Sequence, residues 1–600
     1  MALNHSFAVY LRIVYQILLQ IMKKPNTFLF RLLTIIVGTG GFSPFLHAED
    51  TGMRVYNIAQ TRCTNGACHN SSTVAGGLDL QGTGFNPAAD VYANIYNIAT
   101  SNPTALAKNN KLIYPGDPYR SFMFRLVGQS ISGDISLDES EDPGNVHRNL
   151  QMPDLEREII RQWILYGAPA TGEVVSHDML AEFYAGNGVW SIDPQSPPPA
   201  PTSNGFQIHV GPIFLPAWTS GDQPNLEYMT KYETLLPAGI EINRTEVFLG
   251  NSSHHFIVYK FNDANTANNM QYGFRPVFFS GVDMVVAYQG SASDVLPEGT
   301  AFRWQNNTIL NLNPHVTNYS STAIVACDIY FNVTTQTYGT AAQEMKSQLL
   351  PNLNIDIPGD GTEHSFETAL YTPFPLPFFP ATMHVWKMAS HTHKRATDFD
   401  VWLRNTDGTK GIQVYDAKRW NGIPDCEEIP YDYQHPPSRV FSPFLTLNSN
   451  TGIIHRGKYV NCSGCASVGW GETTNDEMMI TGVLYVESTN GVVFPEPSVC
   501  YAQEVAVEQI PINAHTPLSL SFNPNPLHQS GTLLVKAHNS GTATLQLFDL
   551  QGKLSQTMPN LNLQSGDNSI GIETDLPKGI YVAVLTDQNG YAAHSKLLVQ

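Results

Sequence analysis

The spacing of apolar residues changes character near residue 200 of the chain. Between residues 50 and 175 apolar positions recur at helical spacing, and the clearest case is residues 154–166. The apolar residues of that segment form one stripe: Leu155, Ile159, Ile160, Trp163 and Ile164. After residue 204 the apolar runs are short and separated by Gly, Asn and Pro, as at 246–249, 256–259 and 480–486. The pattern predicts a small helical region followed by a long β region.

Composition divides the chain further. A proline-rich stretch near residue 197 predicts a stiff, extended linker, and a break near residue 355 divides the β region into two domains. The last segment has alternating strands and tight glycine turns, which predict a small antiparallel sandwich. We therefore expect a multidomain, mainly β protein. Its helical domain, linker and three β domains are predicted over residues 49–175, 176–203, 204–350, 351–510 and 515–600.

The first 48 residues have the pattern of an export signal. Apolar stretches flank Lys23 and Lys24, and the second stretch ends in a small residue, Ala48, before an acidic pair. This order predicts a secretory signal peptide over residues 1–48, with Met22 as an alternative start; the competing interpretation is a membrane anchor. Later segments do not reach the ~18 apolar residues of a spanning helix. We expect an exported protein without a membrane span in its mature form.

The charge balance excludes one class of partner. The 600 residues include 33 Lys and Arg against 52 Asp and Glu, a formal net charge of −19. Contact with phosphate groups needs clustered cations, so we expect no nucleic-acid partner.

Seven cysteines, an odd number, leave at least one thiol outside intrachain disulfides. In an oxidising compartment, Cys426, Cys462, Cys465 and Cys500 are expected to brace the second β domain, with three possible pairings. Alternatively, Cys462 and Cys465 form a vicinal redox or metal pair. Cys327 is expected to be the odd thiol.

A short motif in the helical region suggests a covalent haem. Cys63 and Cys68 precede His69, which supplies two thiols and one imidazole from one segment. Four residues separate the cysteines instead of the usual two, so a small disulfide loop between Cys63 and Cys68 is the alternative.

The surroundings of this motif resemble cytochrome c domains of secreted bacterial proteins. The resemblance rests on the motif together with segments 76–80, 115–118 and 152–153 and the helix that ends at residues 163–168. It implies a haem c held by Cys63, Cys68 and His69, with Met152 as the ligand on the other side of the iron. His147 is the alternative sixth ligand.

Histidines in the β region have a spacing suited to a metal. His391 and His393 alternate on a predicted strand, so both side chains share one face. His254 and His255 are adjacent, and a regular strand would point them to opposite sides unless it bends. Imidazole suits copper and zinc, and thioether sulfur suits Cu(I), so histidine pairs with a nearby methionine favour copper.

The order of these residues resembles the copper type II, ascorbate-dependent monooxygenases, which include peptidylglycine α-hydroxylating and dopamine β-monooxygenases. The resemblance spans about half of the chain, from Gly205 to near Cys500, and includes the Asn475-Asp476-Glu477-Met478 segment. It implies two antiparallel β-sandwich domains, one per copper, that face a cleft. The implied ligands of the electron-storing copper are His254, His255 and His315. The implied catalytic ligands of the oxygen-binding copper are His391, His393 and Met478, with Met479 as the competitor of Met478.

The positions that hold a peptide carboxylate in the amidating members differ here. Ala389, Ile480 and Gly482 stand where those members have arginine, asparagine and tyrosine. We therefore expect no peptidylglycine amidation and favour a less polar substrate.

Residues 515–600 resemble the C-terminal sorting domain of the type IX secretion system of Bacteroidetes. The resemblance rests on 523–526, 545–553, 576–584 and the terminal run 596–600. It implies contact with the type IX secretion machinery and transport across the outer membrane. An ordinary β accessory domain is the alternative.

Together these patterns predict an exported copper monooxygenase that hydroxylates a C–H bond of a small molecule or peptide with O₂. An external reductant such as ascorbate, or the fused haem domain, would supply electrons. The location is secreted or cell-surface, with the periplasm as the fallback. The alternatives are a non-catalytic electron-transfer or copper- and haem-binding protein, and an adhesin-like β protein with incidental histidines.

Overall fold

The computed structural model describes most of the chain after the predicted signal peptide, which lies outside the described residues. The described residues are 50–202, 204–218, 227–250, 252–275, 281–318, 320–371, 380–448, 450, 452–471, 473, 475–500, 518–528, 530–537, 540–548, 554–588 and 592–599. They belong to two compact units, one that ends at Cys500 and one that comprises the residues after it. Within the described part of the chain, none of the helices combines the length and apolar character needed to cross a membrane.

The first unit begins with a helical region. Its helices, α1 to α6, are Thr51–Arg62, Pro87–Ile95, Pro103–Ala107, Phe122–Val127, Asp154–Leu165 and His177–Glu182. The predicted helix at 154–166 is confirmed as α5, which buries Ile159, Trp163 and Ile164. Short 3-10 segments and one π turn lie at Ala75–Gly77, Pro118–Arg120, Gly128–Ser130, Pro143–Asn145, Phe183–Asn187 and Trp420–Gly422.

Two sheets follow the helical region. Strands β1 to β12 are Gly188–Trp190, Gly205–Leu215, Glu227–Glu233, Ile240–Leu249, Ser253–Phe261, Gly273–Arg275, Val282–Tyr288, Ala292–Val295, Thr300–Trp304, Ile309–Val316, Ile324–Thr337 and Gln343–Glu344; helix α7 is Ala264–Asn268. A seven-stranded sheet has the order β1-β11-β4-β9-β12, with β2 on β11 and β8 on β4, and a five-stranded sheet has the order β6-β3-β10-β5-β7. Alternate residues such as Phe256 and Val258 are buried in the shared core because side chains alternate along a strand.

The segment expected as a linker packs against this β region. It contains α6 and β1, and β1 pairs with β11. Further along, the carbonyl oxygens of Pro198 and Pro199 accept hydrogen bonds from Gln207 and Asn332 at 3.0 Å each.

A second β region completes the first unit. Strands β13 to β22 are Lys346–Pro351, Asp356–Ile357, Glu363–Leu370, Thr382–Thr392, Ala396–Arg404, Lys410–Asp416, Ser438–Asn448, Ile453–Val460, Val468–Gly469 and Met479–Val486. They form sheets β13-β22-β16-β19 and β15-β20-β17-β18 and the pair β14-β21. Trp386, Phe444 and Val486 of this region join the core of the preceding β region. The two β regions therefore pack directly against each other.

The structure contains two disulfides, one that joins distant segments and one between the neighbouring cysteines of residues 462–465. Cys426 is bonded to Cys500, so one disulfide joins two segments 74 residues apart. Cys462 is bonded to Cys465, the vicinal alternative. Cys63, Cys68 and Cys327 are free thiols, so the alternative disulfide loop at Cys63 is not formed.

The second unit is a small antiparallel sandwich, as predicted. Strands β23 to β29 are Leu518–Asn523, Ser530–Ala537, Gly541–Phe548, Leu554–Leu563, Gly566–Glu573, Gly579–Asp587 and Ala592–Val599. They form a three-stranded and a four-stranded sheet around a core that includes Leu533, Leu545 and Leu585. The protein is thus mainly β, with a small helical region and several antiparallel sheets.

Candidate metal centre

A β-bulge positions the adjacent histidines of β5. His255 pairs with His315 of β10, whereas the next pair along is Val316 with Ser253. His254 is therefore the extra residue of the bulge, and it escapes the strict alternation of side chains. The rings of His254 and His255 lie 5.3 Å apart between centroids. This is the bend that the sequence requires if both imidazoles are to reach one site.

The register between β16 and β22 positions the second histidine pair near a methionine. His391 pairs with Ile480 and Thr392 with Met479, where β16 ends and β22 begins, so His393 and Met478 are the next residues beyond the last pair. Met478 lines a cavity that His391 also lines. Met479 is fully buried in the apolar core. The geometry therefore favours Met478 over Met479 as the residue that faces the site.

Five imidazoles converge into one cluster: four lie on three strands, His393 follows the end of β16, and all but the partly exposed His391 are buried. The ring of His254 lies 5.1 Å from that of His315, 5.6 Å from that of His391 and 6.2 Å from that of His393, measured between centroids. The ring of His255 lies 4.9 Å from that of His315 and 5.4 Å from that of His391. The predicted residues from the two β regions are thus neighbours in space.

The cluster contains two groups whose potential ligand atoms lie within 4.8 Å of one another. One group is His254, His391 and His393; the other is Glu227, His255 and His315. The resemblance implied a different division, with His254 beside His255 and His315. The ring of His254 borders both groups, since its centroid lies 5.1 Å from that of His315 and 5.6 Å from that of His391.

Unpartnered nitrogen atoms indicate that this cluster suits a metal. Both ring nitrogens of His254, Nδ1 of His255 and Nε2 of His393 are buried without a hydrogen-bond partner. Buried polar atoms are rarely left unsatisfied. Nε2 of His255 lies 3.3 Å from Nδ1 of His315, which is the spacing of two nitrogens that share one metal at bond lengths of about 2.0 Å and a tetrahedral angle. The residues therefore fit metal binding.

Burial keeps these imidazole rings in their neutral form. Burial is the largest cause that lowers the pKa of all five, and neighbouring imidazoles lower it further. The pKa falls to about 3 for His315, His391 and His393 and lies well below its ordinary value for His254 and His255. Neutral imidazoles offer the free lone pair that a metal needs.

Hydrogen bonds to the backbone and to Gln289 fix two of the rings. The side-chain amide of Gln289 lies 2.7 Å from Nδ1 of His391. When Nε2 of His391 binds a metal, Nδ1 keeps its proton, and the amide oxygen of Gln289 is the atom that accepts it. Nδ1 of His393 donates to the carbonyl oxygen of Asp476 at 3.3 Å. The buried carboxylate of Glu477 accepts the backbone N–H groups of His393 and Arg395 at 3.2 and 3.1 Å. Such outer contacts orient metal ligands.

Three residues that contact or adjoin the histidine cluster were not predicted as part of the site. Glu227 and Gln289 belong to segments without a recognisable motif, and only the pairing of distant strands brings them to the histidines. Glu477 carried a signal, since it lies within the Asp-Glu-Met segment on which the resemblance rests. Burial raises its pKa to about 8.

An apolar cavity of about 200 Å³ lies beside the cluster. His255, His391 and Met478 line it, together with the apolar side chains Met284, Ala287, Tyr288, Met388, Val483 and Leu484. Ala389, Ile480 and Gly482, which replace the carboxylate-holding residues of the amidating enzymes, line the same cavity. Lys387 also lines it, but its Nζ is paired with Asp294 at 2.7 Å.

The predicted haem ligands lie in the helical region. Cys63 and Cys68 are half-buried free thiols, and burial raises the pKa of Cys63 to about 11. Nδ1 of His69 donates to the carbonyl oxygen of Leu78 at 3.3 Å, which leaves Nε2 for a metal. Free thiols and an oriented imidazole fit a covalent haem. Met152 is buried in a small apolar cluster.

Comparisons with known proteins leave the family open. Models of protein families and curated proteins give no match. A CARDB domain of the PF1109 protein from Pyrococcus furiosus is similar over 14% of this chain and 85% of its own length, with 14% identity and a TM-score of 0.11. A β-glucuronidase from Parabacteroides merdae is similar over 40% of this chain and 28% of its own, with 11% identity and a TM-score of 0.11. A BSP domain of a biofilm-associated protein is similar over 64% and 83%, with 9% identity and a TM-score of 0.12. Similarities this weak support no functional conclusion.

Proposed function

We propose that the protein is an exported, copper-dependent monooxygenase that hydroxylates a C–H bond of an organic substrate. The supporting observation is the convergence of His254, His255, His315, His391 and His393, from strands far apart in sequence, on one buried site beside Met478. The reaction consumes the substrate, O₂, two electrons and two protons, and it yields the hydroxylated product and water. An external reductant such as ascorbate, or the haem, supplies the electrons.

The residues have distinct roles in this proposal. Bound copper would supply the one-electron chemistry that activates O₂. His391 and His393, with the soft thioether of Met478, would hold the copper that acts on the substrate, and thioether sulfur favours its reduced form. His255 and His315 would hold the electron-storing copper. Gln289 keeps the ring of His391 in place from outside.

The regrouping of His254 and the presence of Glu227 extend this assignment. His254 has ring nitrogens close enough to join His391 and His393, and Glu227 can complete the other group with an oxygen ligand. Oε1 of Glu227 lies 3.7 Å from Nε2 of His255 and 4.0 Å from Nδ1 of His315. Both proposed copper sites are then built mainly from imidazole.

The cavity supports an apolar substrate. Aliphatic and thioether side chains are 11 of the 24 residues that line it, and the charge of Lys387 is balanced by Asp294. A substrate carboxylate would lose its hydration without gaining a cation. We therefore propose a small apolar molecule, or an apolar side chain of a peptide, as the group that is hydroxylated.

The helical region that would hold the haem packs against strands that carry the metal cluster. The hydroxyl group of Tyr228 donates to the carbonyl oxygen of Leu165 in α5 at 2.8 Å, and Tyr228 adjoins Glu227 in β3. Asn313, two residues from His315, donates to the carbonyl oxygen of Tyr228 at 3.3 Å. A covalent haem held by Cys63, Cys68 and His69 would thus belong to a region packed against the strands of the cluster.

The C-terminal sandwich supports export through the type IX machinery. It has its own apolar core, so it can act as a separate signal without forming part of the metal site. Residues 515–600 fused to a reporter should direct that reporter outside the cell in a bacterium with this secretion system. Retention of the reporter in the periplasm would contradict this assignment.

Oxygen labelling tests the proposed activity. The copper-loaded protein, a reductant and a panel of small aliphatic and aromatic compounds should yield a hydroxylated product that carries one ¹⁸O atom from ¹⁸O₂. The variant His393→Ala should lose this product. His384→Ala is the matched control, because His384 lies on the same strand but bonds Thr446 away from the cluster. Copper binding and reduction without labelled product would instead support an electron-transfer or metal-binding protein. Rapid amidation of peptides that end in glycine would contradict the proposal that the substrate is apolar.

A further inference from the structure

Two histidine rings in the helical region lie at a centroid separation that matches two ligands of one iron. The centroids of His69 and His147 lie 6.0 Å apart, with an interplanar angle of 25°. Two imidazoles that bind one metal from opposite sides through bonds of about 2.0 Å have ring centres about 6 Å apart. Direct stacking in this protein is much closer, since His209 lies 4.1 Å from Tyr119 and 4.0 Å from Tyr330. The space between His69 and His147 therefore exceeds that of stacked rings.

Both rings are oriented through the same nitrogen atom. Nδ1 of His69 bonds the carbonyl oxygen of Leu78, and Nδ1 of His147 bonds Oδ1 of Asp142 at 2.9 Å. In each case Nε2 remains for a metal, and a carboxylate or carbonyl partner increases the ligand strength of an imidazole.

Asp142 anchors the segment that carries His147. Its side chain is 1% exposed, and it also accepts the backbone N–H groups of His147 and Arg148 at 3.0 Å each. Hydrogen bonds to this buried carboxylate therefore fix the loop that contains His147.

Met152 has a different environment. It is 7% exposed and packs with the buried side chains of Ala105, Phe122, Leu126 and Val127. A methionine in such a cluster has a sufficient role as apolar filling.

We propose that His69 and His147 are the two axial ligands of the haem and that Met152 is a core residue. The inference rests on the proposed haem but is independent of the copper chemistry. Methionine ligation raises the reduction potential of a haem, so a bis-histidine haem has the lower potential of the two. A lower potential makes the haem a stronger electron donor.

Spectroscopy of the full chain, produced with a cytochrome c maturation system, tests the proposal. The unmodified ferric protein should be low-spin, with the electron paramagnetic resonance pattern of two imidazoles and without the long-wavelength absorption of a methionine ligand. His147→Leu should become high-spin and bind added imidazole, whereas Met152→Leu should keep the original spectrum and potential. His177→Leu is the control for loss of an uninvolved histidine in the same region.

The alternative outcomes are distinct. A methionine band in the unmodified protein, or loss of the low-spin state in Met152→Leu alone, would overturn the axial pair while leaving the haem itself in place. The methionine band is measured on the unmodified protein, so that outcome does not depend on the folding of a variant. If the purified chain contains no covalent haem, the haem assignment and the axial pair fail together, and copper content and oxygen labelling still decide the oxygenase.

Discussion

At the scale of single residues, the main support for a metal site comes from the buried ring nitrogens of the histidine cluster. His254 is 3% exposed, and neither of its ring nitrogens has a hydrogen-bond partner. A buried polar group without a partner costs about 1–3 kcal/mol. Metal ligation would satisfy one of the two nitrogens of His254 and so lower that cost, which gives a reason for imidazoles in the interior.

Removal of one of these ligands should weaken copper binding strongly. We expect His254→Ala to lower the affinity of the His391–His393 group for copper by at least about 100-fold, because a direct ligand is lost. Equilibrium dialysis against a copper chelator measures this, with His384→Ala as the control. Unchanged affinity would exclude His254 as a ligand.

The carboxylate in the other group allows a more conservative test. Glu227→Gln keeps the shape of the side chain but removes its charge, so we expect copper to bind the His255–His315 group about 10- to 100-fold more weakly. Titration of the variant with Cu(II), followed by electron paramagnetic resonance, measures the loss. Identical titrations of variant and parent would show that Glu227 is not a ligand.

At the scale of strands and helices, the sequence predicted the parts better than their arrangement. Alternating residues predicted β5 and β22, and the need for a bend at His254 followed from the period of a strand. Met478, which the resemblance favoured over Met479 as a ligand, lines the cavity, whereas Met479 lies in the core. The partner of His254 could not be predicted, because it depends on the contact between two β regions. Glu227 and Gln289 were missed for the same reason.

One contact between elements has a defined pH dependence. His209 of β2 bonds Asp134 of the helical region at 2.8 Å and Asp328 of β11 at 2.9 Å. Burial alone would lower its pKa, but the two carboxylates outweigh burial and raise the pKa from 6.5 to about 9. Other titratable or charged groups near these three residues are Tyr119, Tyr330, Arg161 and Glu158.

A raised pKa in the folded state stabilises the protein below the unfolded value of 6.5. This contribution, on the order of 3 kcal/mol, is lost as the pH rises through about 9. We expect the unfolding temperature of the first unit to fall between pH 7 and pH 10, and His209→Gln to flatten that decline. Parallel pH profiles for both proteins would contradict the role of His209.

At the scale of the whole molecule, the metal cluster and the helical region belong to one compact unit that ends at Cys500. The helical region shares its apolar core with Phe214, Ile324 and Ala326 of the β region. The second unit has a separate core. Catalysis and electron supply are thus proposed for the first unit, and export for the second.

This division predicts the effect of truncation. A chain that lacks residues 501–600 should bind the same amount of copper and unfold at the same temperature as the first unit of the full chain, because all proposed ligands precede Cys500. Calorimetry and metal analysis of both proteins provide the comparison. Loss of copper on truncation would mean that the metal site needs the C-terminal sandwich.

The copper content of the purified full chain, with X-ray absorption at the copper edge, tests the central claim most directly. The account predicts about two coppers per chain in an environment dominated by imidazole nitrogen, with a sulfur contribution from Met478 in the reduced protein. A chain that binds no stoichiometric copper after loading, or that binds it equally well without His393, would contradict the account.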